Sequence, residues 1–130
     1  MINNLMNEQD IHEFGLQILV QWLEGKGYSV EFVQPDKNSL PHVFARAGEM
    51  LTLIIASTGV YPAKGSISET DKAAALELAQ KLGAQCACAR LGIANADGVE
   101  KKDKKLAAIP LKNGRFVTDF GGLEFIRFED

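Results

Sequence analysis

The sequence predicts an α/β fold: a mixed central sheet sandwiched by helices, in the order α-β-β-β-α-β, with a C-terminal β-hairpin. Three observations predict it. An apolar helical face opens the chain. The run "LTLIIAST" at 51–58 is apolar and β-branched, as a strand buried on both faces must be. An alanine-rich helix then separates that run from another apolar strand, "QCACARLGI". A helix between two strands of one sheet makes them parallel through a right-handed crossover, whereas the tight turn before the first of them makes an antiparallel pair.

The first helix runs from about Asn7 to Glu24. Ile11, Phe14, Ile18, Leu19, Trp22 and Leu23 recur at helical spacing, and Leu16 and Val20 widen that face. Phe14 and Trp22 are therefore expected to be largely buried. Gly25 and Gly27 end the helix. "YSVEFVQ" is a strand in which Tyr28, Val30 and Phe32 alternate with polar neighbours. "QPDKNS" is a polar turn, "PHVFARA" a second short strand, and Gly48-Glu49 a tight turn into the central run.

After the loop "GVYPAKGSIS", Ser68 is a natural N-cap with Asp71 at the N3 position, and the helix runs from about Glu69 to Leu82 before Gly83. Ala75, Leu78, Ala79 and Leu82 form its apolar face. "ANADGVEKKDKK" is a charged excursion. Asn113-Gly114, between two apolar runs, signals a two-residue hairpin turn with positive φ at both positions, joining strands near Ile109 and Phe116. The tail "GGLEFIRFED" is a final strand or a short helix. The 130 residues make one domain, with its core at about 10–93 and a hairpin extension at about 106–128.

Composition narrows the function classes. Hydrophobic residues at 46% and charged residues at 24% suit a folded globular chain rather than a disordered one. A net charge of −3 gives no global attraction to nucleic acid. No apolar stretch reaches the roughly 18 residues of a membrane helix, and "MINNLMNEQD" has no secretory pattern, so a soluble cytoplasmic protein with no membrane partner is expected. Cys86 and Cys88 are too close for a sound disulfide and have no second pair for zinc, which makes them small buried thiols.

"EFGLQILVQWLEGKGYSV", followed by Pro41-His42 and Ile55-Ala56-Ser57-Thr58, resembles the core of the restriction-endonuclease-like superfamily, the PD-(D/E)xK nucleases. The resemblance covers about residues 10–93. It implies a helix with a glutamate, then a strand opening on Gly-Tyr, a second strand opening on Pro-Asp and a third ending on Glu-x-Lys. The carboxylates of that motif hold a divalent cation, usually magnesium, and the metal and lysine together activate water and stabilise the phosphate. Glu and Lys two apart on a strand share a face, which fixes the spacing. Here His42 stands in the place of the aspartate, Ile55 in that of the glutamate and Ser57 in that of the lysine. Isoleucine cannot ligate a cation, serine cannot supply the charge, and one histidine is a poor magnesium site. The resemblance therefore implies a degenerate member with no catalytic residues, no metal and no cofactor.

Glu13 on the first helix is the candidate for rescue, against a plainer role as capping partner, since Asp10-Ile11-His12-Glu13 has capping-box spacing. Glu49 lies at the hairpin turn, Lys64 reads as solvated, and Asp71 belongs to its helix N-terminus. His42 reads as a hydrogen-bonded strand residue and His12 as surface. Lys101, Lys102, Lys104 and Lys105 are possible phosphate contacts, diluted by Asp97, Glu100 and Asp103 and without an aromatic platform. There is no phosphate-binding glycine loop and no Ser-His-Asp or Cys-His arrangement.

The expectation is a nuclease-like fold without catalysis, used for binding or assembly with a protein partner or another copy of itself, and with weak affinity for nucleic acid. Two other readings stay open: an active metal-dependent nuclease with relocated ligands, and an α/β interaction module unrelated to nucleases.

Overall fold

The computed structural model describes residues 4–127. Residues 1–3, where the sequence was read for a leader, and 128–130, at the end of the predicted extension, lie outside the described residues. The chain folds as α1 (Glu8–Gly25), β1 (Ser29–Val33), β2 (Val43–Ala47), β3 (Met50–Val60), α2 (Glu69–Leu82), β4 (Gln85–Asn95), α3 (Ala96–Glu100), α4 (Lys104–Ala107), β5 (Phe116–Phe120) and β6 (Glu124–Ile126). The sheet is mixed and open, in the order β1-β2-β3-β4-β5, with β6 also on β4. No helix among the described residues is long and apolar enough to cross a membrane.

β2 and β3 are antiparallel from Val43↔Ile54 to Ala47↔Met50, which leaves Gly48-Glu49 as a two-residue turn. Gly48 takes the φ of 60° that such a turn requires. β3 and β4 are parallel from Thr52↔Gln85 to Val60↔Ile93. Strand alternation then divides β3 between two cores. Ile54 and Ala56 pack with Leu16, Leu19 and Leu23 of α1. Leu53 and Ile55 pack with Ala75 and Ala79 of α2 and with Cys86 and Cys88 of β4. The apolar run thus forms an interior strand covered on both faces. Both thiols are free and buried, and desolvation pushes Cys86 up to about 11.

α2 begins where Ser68 Oγ accepts the Asp71 N–H at 3.1 Å and ends at a left-handed Gly83, as its local signals predict. Leu82 departs from the expected face and is 49% exposed. Asn7, not Asp10, caps α1: its side chain accepts the Asp10 N–H at 2.8 Å, and Asp10 accepts the Asn7 N–H at 3.0 Å. This box lies one turn before the predicted one and releases Glu13, which instead accepts from Gln9 Nε2 at 3.1 Å.

The buried face of α1 is His12, Gly15, Leu16, Leu19 and Leu23. Phe14 and Trp22 lie at its flank and are half-buried rather than largely buried. They pack on Phe116 and Phe120 of β5, with ring centroids 4.9 and 5.1 Å apart. In β1 a register shift between Val30 and Phe32 breaks the expected alternation, and Phe32 is exposed.

The C-terminal hairpin does not form. Asn113 has the predicted left-handed φ of 63°, but Gly114 does not join it at positive φ. The Gly114 N–H instead closes a single turn on the Leu111 carbonyl at 3.1 Å. The residues before the turn pair with the N-terminal segment, where Met6 N–H donates to Pro110 O at 2.8 Å. Pro110 has no N–H to give to a ladder, which disfavours that run as a strand. β4 extends two residues further than predicted, and its open edge takes β5 antiparallel from Leu91↔Phe120 to Asn95↔Phe116. β6 continues along the same edge from Cys86↔Ile126 to Cys88↔Glu124, so the tail is a strand. Gly122, at φ 100° against the Trp22 ring, sits at the break between the two.

The charged excursion is likewise not a plain loop. Asn95 and Asp103 cap two short helices, with Asn95 Oδ1 accepting the Asp97 N–H at 2.9 Å and Asp103 Oδ1 accepting the Lys105 N–H at 3.0 Å.

Candidate functional site

β2 and β3 part company at His42, and a cavity of about 370 Å³ opens where the carboxyl half of β3 runs on without β2, still paired with β4 on its other side. Pockets at the carboxyl ends of parallel strands are the usual ligand sites of α/β sheets. Its walls come from the first turns of α1 (Glu8, Ile11, His12), the segment after β1 (Lys37, Asn38, Leu40, His42), β3 (Ile55–Thr58 and Val60) and the approach to α2 (Ser66, Ile67, Asp71).

His42 takes over the role of the strand that ends beside it. Its N–H donates to the Ile54 carbonyl at 3.0 Å, the last backbone bond of that ladder. Beyond that point the Ala56 N–H donates to His42 Nδ1 at 2.8 Å. The other ring nitrogen, Nε2, therefore carries the proton and donates to the Lys37 carbonyl at 3.0 Å. The imidazole is 3% exposed, and burial lowers its pKa. His42 is thus neutral, with one ring nitrogen committed to each of two backbone groups.

His12 packs edge-on against it, with ring centroids 4.5 Å apart. The sequence reading placed His12 on the surface, yet it is 5% exposed. Burial first, and the neighbouring His42 second, lower its pKa to about 4. The signal for its burial was present: positions 12, 16, 19 and 23 follow the i, i+4, i+7 pattern of one helical face. Its Nε2 has no partner among the described residues, and neither has Thr58 Oγ1.

Of the four sequence-nominated positions, three meet here. His42 and Ser57 line the cavity, and Ile55 contributes to its floor while packing under α2. Ser57 Oγ accepts the Ser66 N–H at 3.1 Å, which ties the loop after β3 to the strand. Glu13 is not brought in; it is exposed on another face of α1, and Glu8 and His12 occupy the approach instead. Lys64 lies 4.0 Å from Asp119, outside the cavity. Asp71 does line it, beside its place in the first turn of α2. No three His, Cys, Asp or Glu side chains among the described residues are grouped to hold a metal ion.

Lys101, Lys102, Lys104 and Lys105 stand exposed around α3 and α4, away from the cavity. The neighbouring acids have their own partner: Asp97 and Glu100 grip Arg115 at 2.7 and 3.1 Å. With so few phosphate contacts on offer, duplex or single-stranded DNA should bind weakly at physiological salt. Fluorescence titration with labelled DNA checks this. Sub-micromolar binding that collapses with salt and is lost when all four lysines become alanine would overturn it.

No curated protein and no solved structure matches the chain. Residues 9–126 match the family model described as Domain of unknown function (DUF8840), and the chain belongs to that family.

Proposed function

We propose that this chain is a restriction-endonuclease-like domain whose catalytic end has become a non-catalytic site, and that it serves in binding or assembly. The order α-β-β-β-α-β, with an antiparallel β2–β3 pair and a parallel β3–β4 pair, supports the nuclease-like reading. The observation that carries the loss of catalysis is His42. At the position of the metal-binding aspartate stands an imidazole with both nitrogens held by main-chain groups, so it has no lone pair to give a cation without breaking the Ala56 bond. Ile55 and Ser57 supply neither a carboxylate nor a cationic group beside it. Glu13, the nominated rescue ligand, stands off the cavity. Removing one group that stabilises transition-state charge commonly costs about two to three orders of magnitude, so replacing three leaves nothing above background, although such losses are not additive.

Incubation with plasmid, linear, branched and single-stranded DNA and with RNA, each with magnesium and with manganese, tests the reading. The expected result is no cleavage. Cleavage that disappears with chelator and on Glu13→Ala or His42→Ala would show that the ligands have moved and that the site is active.

A further inference from the structure

The sheet ends at β1 on one side and at β5 on the other. The two edges differ in how they would meet another strand. β1 carries devices that blunt an edge: a register shift between Val30 and Phe32, and a charged side chain, Glu31, held by Arg46 at 2.8 Å. β5 has no such shift. Its pairing runs unbroken from Leu91↔Phe120 to Asn95↔Phe116, and it contains no proline and no lysine. Val117, Thr118 and Asp119 are exposed.

The backbone decides which groups of β5 face outward. The N–H and C=O of a strand residue point to the same side, and that side alternates along the strand. The Ile93 carbonyl accepts the Tyr61 N–H at 2.8 Å and the Leu91 carbonyl accepts the Gly65 N–H at 2.9 Å, both on the side of β4 away from β5. Gly92 and Ala94 therefore serve β5, where Asp119 and Val117 stand opposite them. The Ala96 N–H, donating to the Arg115 carbonyl at 3.0 Å, continues that alternation. The N–H and C=O groups of Phe116, Thr118 and Phe120 thus point away from the sheet, and no strand among the described residues pairs with them.

That outward row is its own complement. With a two-fold axis at Thr118, antiparallel pairing sets Phe116 of one copy against Phe120 of the other, and Thr118 against Thr118, each pair exchanging both N–H···O bonds. Aromatic pairs and Thr–Thr pairs are favourable neighbours across strands. The single charge of the strand, Asp119, meets Val117 rather than another Asp119, and has Lys64 4.0 Å away. Phe116 and Phe120 lie on the α1 face, against the half-buried Phe14 and Trp22. The axis brings the Phe14–Phe116 pair of one copy alongside the Trp22–Phe120 pair of the other and covers what each copy alone leaves half open. The two α1 helices then run antiparallel. Lys26, 5.6 Å over the Trp22 ring, approaches the acidic first half of the other α1, where Glu13 stands beside Phe14 and Phe116.

We propose that the chain forms a homodimer through β5, paired antiparallel with β5 of a second copy about Thr118, so that one sheet runs through both. Such a contact is isologous and closes at two copies. This deepens the assembly reading by naming its partner, and it is independent of the fate of the catalytic end.

Sedimentation equilibrium of the full chain, from about 5 to about 500 µM, suits a contact at the small end of interface sizes. A monomer–dimer equilibrium is expected. Amide hydrogen exchange on the native chain locates it: the N–H groups of Phe116, Thr118 and Phe120 should become protected as concentration rises, whereas those of Val117 and Asp119, bonded to β4, should be protected at every concentration. Thr118→Lys sets like charges face to face at an exposed position and is expected to weaken the dimer at least about tenfold. Thr118→Pro removes only an outward N–H, leaves the β4 ladder intact and is expected to act in the same direction. Phe32→Lys, on the opposite edge, is expected to dimerise as the native chain does. The proposal is overturned by a chain that stays monomeric throughout the concentration range, by assembly beyond two copies, by exchange at the three outward amides that ignores concentration, by a dimer indifferent to both Thr118 changes, or by one lost with Phe32→Lys. A monomer leaves the loss of catalysis standing without this partner, whereas metal-dependent cleavage removes the converted-site reading and leaves the dimer standing.

Discussion

Gly15→Ala is expected to destabilise the fold by roughly 2 to 4 kcal/mol, although alanine is the better helix former by about 1 kcal/mol. Gly15 lies in the middle of α1, where the helix crosses β3. A Cβ there would stand 1.8 Å from Thr58 Oγ1, 2.9 Å from Thr58 Cβ and 3.2 Å from Thr58 Cγ2. Since the Thr58 side chain springs directly from an interior strand, α1 must lift away from the sheet to make room. That displacement loosens the packing of Leu16 and Leu19 on Ile54 and Ala56. Urea unfolding measures the loss. Thr58→Ala removes the two outer atoms of the clash and should recover at least half of it in the double variant, a strong coupling expected only between residues in contact. Gly25→Ala, at an exposed helix end with nothing within 4 Å of the added atom, is the control and should be neutral or mildly stabilising. A Gly15→Ala protein as stable as the native chain would mean that α1 does not approach β3 at Thr58.

That contact also marks the limit of what one sequence discloses. Local signals sufficed wherever one element decides its own shape. Ser68, Asp71 and Gly83 fix α2 at both ends, and Gly48-Glu49 fixes the turn between β2 and β3. Signals of equal local strength did not decide between competitors. Asn7–Asp10 and Asp10–Glu13 have the same capping spacing, and the earlier box wins with the longer helix. Asn113 enters the left-handed region as an Asn-Gly turn requires, yet the strand after it pairs with β4, far back in the chain. Pairing of that kind depends on which strand edge is left open, and no local window contains it. The α1 face was misjudged for a different reason. Counting apolar residues centres it on Phe14, Ile18 and Trp22, whereas the buried line runs through His12 and Gly15, residues that carry no hydrophobic signal.

The candidate site divides in the same way. Pro41-His42 and Ile55–Ser57 were nominated by resemblance, and strand geometry brings His42 and Ile55–Ser57 to one cavity. The partner that completes the site, His12, lies one residue from the nominated Glu13. On a helix a step of one residue turns the side chain by about 100°. That turn separates a buried position from an exposed one.

The buried histidine pair should make stability depend on pH between about 6.5 and 4. In the unfolded chain both imidazoles titrate near their ordinary value of about 6.5. In the folded chain burial, together with the neighbouring imidazole, holds His12 down to about 4, and burial lowers His42 as well. Lys37 adds to the effect on His12, whereas Glu13 opposes it, and Asp71 and Asp36 oppose it on His42. Below pH 6.5 the unfolded state takes up protons that the folded state refuses, so stability falls as pH falls. The loss from His12 is complete once pH passes below its folded value. From that window His12 alone contributes no more than about 3.5 kcal/mol, and His42 acts in the same direction. Urea unfolding at intervals from pH 7.5 to pH 4 should show stability declining through this range. His12→Leu keeps an apolar body on α1, removes the titrating group and removes an unpartnered buried nitrogen. It should therefore be at least as stable as the native chain at pH 5 and show a shallower pH slope. A native profile that is flat from pH 7 to pH 4.5, or a His12→Leu profile as steep as the native one, would mean that His12 is hydrated in solution and not buried against His42.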